Sequence, residues 1–401
     1  MLPSLETAGA ISEELEQAIL RHPKFYRSLI NVSSEPLPGL ERRQYQVDAI
    51  EAIRNGMLRK SPRGQLIIGT GGGKTPIAFN LIAQTKGKVL YVTPGHSAAN
   101  RGIAEIENDE RNISKTYQYL KNGHFNSSVD ITFATWQYLV NRNKFSRIPS
   151  DYFDLIIFDE AHSYFGDQNS KIAEHFSGFQ LHMTATPETL SHHLNDVVKT
   201  RYFEYTSEDL IQHDGYPAWV LNRCEVEETG LYRTVGGKIV ISEQEEGQVL
   251  NMPARFSICH QILRDVKRRG GRAFLYLPSV NSSKKFLHLI NQDPELKSLV
   301  VHIDGASTSQ QDLERYKQML YEGEIIAICG KDKHNESISV DNITDVVLAD
   351  PTKSTRKLLQ RIGRGARPYP GKEFLFIHDV VASVANANFK NSRAPSKNVG
   401  T

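Results

Sequence analysis

The run Ile68-Gly69-Thr70-Gly71-Gly72-Gly73-Lys74-Thr75 restricts what this chain can fold into more than any other stretch. Before it, Gln65 to Ile68 is the short apolar run of a buried strand; after it, Ile77 to Ile82 carries helical spacing. A strand that enters a glycine-rich turn and leaves as a helix is a unit of an α/β domain. The turn also has a chemistry, because its backbone N–H groups can wrap a polyphosphate at the positive end of the helix. Thr70, Gly71, Gly72 and Gly73 would form the cradle of a nucleoside triphosphate site. Lys74 would reach the β and γ phosphates as a point charge, and the Thr75 hydroxyl would ligate Mg²⁺.

A chain of 401 residues is long enough for two domains, each with its own core. Hydrophobic residues at 39% and charged residues at 23% describe a soluble globular protein, and no apolar stretch approaches the ~20 residues that span a bilayer. Met1 to Ala10 lacks a basic segment followed by an apolar block, which predicts an intracellular protein of cytoplasm or nucleoid, without a membrane partner. Cys224, Cys259 and Cys329 lie far apart with no Cys-x-x-Cys or Cys/His cluster, which argues against structural zinc, an iron–sulfur cluster or a disulfide framework. The net charge of +2 neither predicts nor excludes a polyanion.

Short apolar runs alternate with helical patterns twice. The first series is Gln65 to Ile68, Val89 to Thr93, Ile131 to Thr135, Leu155 to Phe158 and Leu181 to Thr184. The second is Ala273 to Leu277, Leu299 to Ile303, Ile325 to Cys329, Asp345 to Ala349 and Phe374 to His378. Each predicts a parallel sheet covered by helices on both faces. The expected organisation is an N-terminal extension (1–40), a first α/β domain (41–205), a connection (206–250), a second α/β domain without its own nucleotide (251–385) and a polar tail (386–401). Within the connection, Leu231 to Val235 and Lys238 to Ser242 flank Gly236-Gly237, a hairpin signal.

The strand Asp154 to Phe158 delivers Asp159-Glu160-Ala161-His162 at its C-terminal end, where open α/β sheets bind ligands. Beside a phosphate loop the two carboxylates would divide the work: Asp159 would hold Mg²⁺, directly or through water, and Glu160 would orient and deprotonate the water that attacks the γ phosphate. With these residues in place the chain resembles the DEAH-box superfamily 2 helicases and translocases, in the branch of restriction-enzyme motors, UvrB-like proteins and phage branch-migration helicases. The resemblance covers roughly Arg43 to Asp379 and implies two tandem RecA-like domains with an ATP cleft between them. Arg43, Tyr45 and Gln46 resemble the Q motif, and a Gln amide can pair with the N6/N7 edge of adenine, which implies ATP. Thr184-Ala185-Thr186 resembles motif III, which with His162 couples the ATP site to the nucleic-acid track.

Gln360-Arg361-Ile362-Gly363-Arg364-Gly365-Ala366-Arg367 matches motif VI. If the helix persists to Arg364, that residue shares a face with Gln360, with Arg367 about one turn later. The resemblance makes Arg364 and Arg367 arginine fingers in cis; a basic helix end binding its own carbonyls is the plainer alternative. Motif V, Glu336-Ser337-Ile338-Ser339-Val340-Asp341, departs from the family: Ser339 stands where an Asp is expected and cannot pair electrostatically with an arginine finger.

Nucleic-acid phosphates are expected at loops that follow strands: Pro94, Gly95, His96, Thr135, Trp136, Ser279, Asn281, Gly305 and Ser339. Trp136 reads equally as a base-stacking platform and as a core residue. The implied function is an ATP-dependent, sequence-independent motor on nucleic acid, DNA rather than RNA, with 3′ to 5′ polarity and a possible partner subunit. An RNA helicase and a clamp that binds without travelling are the alternatives.

Overall fold

The computed structural model describes residues 32–40, 43–59, 62–121, 125–163, 170–185, 198, 200–227, 234–235, 238–239, 250–304, 307–331, 340–352 and 355–382. The chain divides into two units, Met1–Asp209 and Leu210–Thr401.

The first unit contains β1 (Arg63–Ile68), β2 (Val89–Thr93), β3 (Tyr117–Leu120), β4 (Ile131–Thr135), β5 (Leu155–Phe158), β6 (Phe179–Thr184) and β7 (Thr200–Tyr205). They form one parallel sheet in the order β3-β4-β2-β5-β6-β1-β7. Its helices are α1 (Gln44–Arg59), α2 (Lys74–Gln84), α3 (His96–Glu107), α4 (Trp136–Val140) and α5 (Ser170–His175), while α6 (Ser207–His213) contains the division between the units. Successive strand residues point to opposite faces. Leu90, Val92, Ala134, Ile156 and Phe158 pack with Leu139 of α4 and Ile172 of α5. Tyr91 and Phe133 face the other way and meet Phe79 of α2.

The second unit contains β8 (Ala218–Val226), the small hairpin β9 (Thr234–Val235) and β10 (Lys238–Ile239), then β11 (Ala273–Tyr276), β12 (Val300–Ile303), β13 (Ala327–Gly330), β14 (Asp345–Leu348) and β15 (Phe374–Ala382). The larger sheet is parallel, in the order β12-β13-β11-β14-β15-β8. Its helices are α7 (Met252–Arg268), α8 (Val280–Ile290), α9 (Gln310–Glu322) and α10 (Thr355–Gly365). Ala273 and Leu275 pack with Cys259 of α7 and Phe286 of α8. Phe274 and Tyr276 pack with Leu320 of α9 and Ile362 of α10 on the opposite face. Both units are thus the expected parallel α/β sandwiches.

The boundaries differ from expectation at two places. The stretch 206–250 is more than a connection: β8 pairs along its whole length with β15 and forms an edge of the second sheet. Its short apolar stretch, Ala218 to Leu221, gives way to residues that alternate between half-buried and exposed, as on a sheet edge. The end of the N-terminal extension packs on the first unit: Val32 is buried, and the Asn80 and Gln84 amides of α2 donate to the Glu35 and Ser33 carbonyls. The hairpin has the expected register, Val235 opposite Lys238 and Thr234 opposite Ile239. Gly236-Gly237 and the remainder of the anticipated arms lie outside the described residues.

Candidate ATP site and nucleic-acid interface

All strands of the first sheet run the same way, so the loops after β1, β2, β4, β5 and β6 gather at one edge. The turn after β1 is closed by Gly72 N–H donating to the Gly69 carbonyl (3.0 Å). Gly73, just before α2, has φ 76°, a left-handed conformation that glycine adopts without steric cost. Lys74 is buried, and its ammonium donates to the Ile68 carbonyl (3.3 Å) inside the curl of the turn; Thr75 follows in the first turn of α2.

Asp159 and Glu160 follow β5. The Asp159 N–H donates to Val92 O (2.9 Å), and the Tyr91 hydroxyl hydrogen-bonds its carboxylate. Asp159 retains some accessible surface at the sheet edge, yet its surroundings are dense enough that desolvation pushes its pKa up to about 6. The neighbouring Glu160 charge adds to that rise, while Lys74 and Arg101 oppose it. Glu160 itself has φ 51°, an uncommon conformation for a residue with a Cβ and a local strain of about 1 kcal/mol or more. A desolvated carboxylate next to an ammonium and a hydroxyl-bearing helix start fits a divalent cation, which relieves the desolvation. Among the described residues there is no cluster of three or more His, Cys, Asp or Glu side chains that could hold a metal. Mg²⁺ needs none, since it usually keeps waters and takes one or two carboxylates plus substrate phosphates.

The His162 side chain is buried, with Nδ1 2.8 Å from the Thr184 hydroxyl and 3.4 Å from Glu160 Oε2. Since β6 lies between β5 and β1, Thr184 sits between the acidic pair and the phosphate loop. A hydrogen bond thus joins His162 to Thr184 of the motif III stretch, while Thr186 lies outside the described residues.

The Q-motif residues are placed at the phosphate loop in three different ways. Gln46 Nε2 is 3.4 Å from the Gly73 carbonyl, and with Arg43 it lines a shallow open cleft whose other wall includes Pro76 and Ile77. Arg43 also donates to the Tyr45 hydroxyl (3.2 Å). Tyr45 departs from the reading as a nucleotide contact. It is 3% exposed, stacks on Tyr205 at 4.7 Å and donates to the Gly72 carbonyl at 2.8 Å, so it shapes the loop from behind.

The candidate nucleic-acid residues divide similarly. Pro94, Gly95 and His96 form the start of α3, with Gln137 donating to the Pro94 carbonyl and His96 contacting the Tyr119 hydroxyl. Thr135 caps α4 by accepting from the Tyr138 N–H. Trp136 is half-buried against the Leu139–Phe145 core, which favours its packing role over base stacking. Ser279 is 3% exposed and is committed to a capping box with Ser282 at the start of α8, so its hydroxyl is not presented to a ligand. Asn281 is exposed in the same turn. Gly305 and Ser339 lie outside the described residues.

In the second unit α10 runs to Gly365, so Gln360 and Arg364 do share a face, both half-buried. Arg367 is not the next turn of that helix. It lies past the helix end, and its guanidinium meets Asp341 at 3.0 Å. Sequence reasoning assigned no role to Arg361, which is buried, grips both oxygens of Asp350 and lies over the Tyr276 ring at 4.6 Å. The carboxylate signal was present in Asp350 but only the fold reveals the pairing. Tyr91 and Arg101 were missed for the same reason.

Two α/β units, one with a phosphate loop and an Asp-Glu pair at the same sheet edge and one with an arginine-bearing helix, define a helicase-type motor core. Residues 39–189 match the family described as type III restriction enzyme, res subunit, and residues 254–369 match the helicase conserved C-terminal domain. The chain belongs to superfamily 2 of the ATP-dependent helicases and translocases. It is 22% identical over 364 residues to IRC3 of Saccharomyces cerevisiae, covering 85% of this chain and 51% of IRC3, so it spans about half the length of that relative. It is 23% identical to the DNA 3′-5′ translocase XPB2 of Sulfurisphaera tokodaii, covering 90% of this chain and 87% of XPB2. Its fold is similar to that of the ATP-dependent type ISP restriction-modification enzyme LlaBIII bound to DNA, with TM-score 0.63 and 17% identity over 87% of this chain and 28% of that one.

Proposed function

We propose that this protein is an ATP-driven motor that translocates along or separates strands of DNA without regard to sequence. The observation that carries the proposal is the convergence of Lys74, Asp159, Glu160 and the His162–Thr184 hydrogen bond at one edge of the first sheet. Lys74 and the loop N–H groups bind the triphosphate of ATP; Thr75 and Asp159 would hold Mg²⁺, which supplies charge neutralisation at the phosphates. Glu160 orients the attacking water and takes its proton, and Arg364 and Arg367 of the second unit stabilise charge developing at the γ phosphate. The His162–Thr184 contact transmits the state of Glu160 to the loop after β6.

DNA as the track is supported by the names of XPB2 and LlaBIII, and the polarity in the former's name agrees with 3′ to 5′ movement. The description of the first match as a subunit supports work alongside partner chains. Among the described residues no helix is long and apolar enough to cross a membrane.

Steady-state ATP hydrolysis with single-stranded DNA, duplexes, forks, four-way junctions and RNA tests the proposal. Hydrolysis is expected to rise on adding DNA and to vanish in Lys74→Ala. DNA-stimulated hydrolysis that survives Lys74→Ala overturns the site, and stimulation by RNA alone moves the track to RNA.

A further inference from the structure

We infer that Lys372 is a positioning residue for motif VI: its ammonium staples the end of α10 to Asp341, the last residue of motif V, and so fixes where Arg364 and Arg367 are presented. The inference rests on the proposed role of those arginines in ATP hydrolysis.

After Arg367 the chain reverses through Tyr369-Pro370-Gly371-Lys372, with the Lys372 N–H donating to the Tyr369 carbonyl (3.0 Å) and Gly371 at φ 76°. Pro then Gly at the two central positions suits a type II turn. The turn sends Lys372 back under the helix end. There Nζ meets three main-chain carbonyls: Gly365 at 2.6 Å, Arg367 at 2.8 Å and Asp341 at 3.0 Å. An ammonium has three N–H donors and no acceptor, so donors and carbonyls match in number. Gly365 ends α10, where the helix dipole is negative and favours a cation. The third carbonyl belongs to Asp341, whose carboxylate pairs with the Arg367 guanidinium. Lys372 and Asp341 therefore hold Arg367 by main chain and side chain together.

Burial pushes the Lys372 pKa down to about 8; the Asp341 charge raises it and the Arg367 charge lowers it. The other ionisable groups here are the Tyr321 and Tyr369 hydroxyls, hydrogen-bonded to each other, with Tyr321 also feeling Asp341. A neutral amine has only two donors, so one carbonyl loses its partner as pH rises through that value.

The test uses the full chain with a single-stranded DNA oligonucleotide, measuring kcat and KM for ATP across pH in wild type, Lys372→Met and Lys372→Arg. Lys74→Ala and Arg367→Ala serve as references. Lys372→Met is expected to lower kcat on the order of 10-fold, as for a misplaced catalytic group, with little change in KM. Lys372→Arg should restore most of the rate and move the alkaline fall of the wild-type profile to higher pH. Adding Lys372→Met to Arg367→Ala should cost less than it does in the wild-type background, the remainder being its effect on Arg364. The inference is overturned by wild-type kcat in Lys372→Met or by an unaltered alkaline limb in Lys372→Arg, which decides the matter even where Lys372→Met fails to fold. Activity retained in Lys74→Ala would instead overturn the underlying site assignment.

Discussion

Replacing Asp350 by Ala tests whether the motif VI helix is anchored from below. The Arg361 side chain is 4% exposed and that of Asp350 13%, so water has little access to a guanidinium stripped of its carboxylate. Both carboxylate oxygens are engaged, one of them at 2.9 Å. Removing one partner of such a buried pair costs about 3–5 kcal/mol, whereas exchanging both for apolar residues of similar volume is close to neutral. The Tyr276 ring under the guanidinium remains in the variant and retains a cation–π attraction of ~1 kcal/mol, so the loss belongs near 3 kcal/mol. The assay is urea denaturation followed by tryptophan fluorescence. The chain has two tryptophans, Trp136 in the first unit and Trp219 in the second, so a Trp136→Phe background reports the second unit alone. Asp350→Ala should lower stability by about 3 kcal/mol, and Asp350→Leu with Arg361→Met by less than ~1 kcal/mol. A single variant within ~1 kcal/mol of wild type, or a double variant as unstable as the single, refutes the anchor.

Two further outcomes are expected. Thr184→Val removes the hydroxyl held by His162 while keeping the side-chain shape; a hydrogen bond of ~1 kcal/mol predicts about a fivefold fall in strand displaced per ATP hydrolysed. An unchanged ratio would show that this contact does not couple the two activities. His182, fully buried and stacked on Phe158, has its pKa driven down to about 3 by burial and secondarily by the Arg63 charge. The folded state keeps it neutral while the unfolded chain protonates near pH 6.5, so this group costs no stability above that pH and an increasing amount below it. Between pH 7 and pH 5 the loss from His182 is about 2 kcal/mol, and the first unit's pH dependence should flatten by that amount in His182→Asn; an identical slope would contradict the shift.

The central strands were legible because a strand covered on both faces must be apolar along its length. Val89–Thr93, Ile131–Thr135 and Leu155–Phe158 are fully buried runs with the expected bounds. The strands that escaped, β3, β7 and β8, are all sheet edges, where half-buried or exposed polar positions interrupt the apolar run. The site followed a similar division. The phosphate loop and Asp159-Glu160 require particular residue types at adjacent positions, so they can be read directly. Tyr91 beneath Asp159, Asp350 beneath Arg361 and Lys372 beneath α10 depend on which segments the topology brings together. Ser279 went the opposite way, its hydroxyl being absorbed by a helix cap, and of the two readings of Trp136 its partial burial against the core favours packing.

The altered motif V acquires a physical meaning from Asp341. Serines at 337 and 339 left no carboxylate where one was expected to face an arginine, yet Asp341, at the end of the same stretch, is paired with Arg367. Both side chains remain well exposed, at 43% and 52%, and an exposed pair is worth about 0–1 kcal/mol. Such a contact orients a guanidinium without retaining it, which is compatible with the role proposed for Arg367. The main-chain contacts of Lys372 do not compete with phosphate for the guanidinium. The main chain of Arg367 is thus held by the Lys372 ammonium while its side chain is held separately, by an exposed carboxylate.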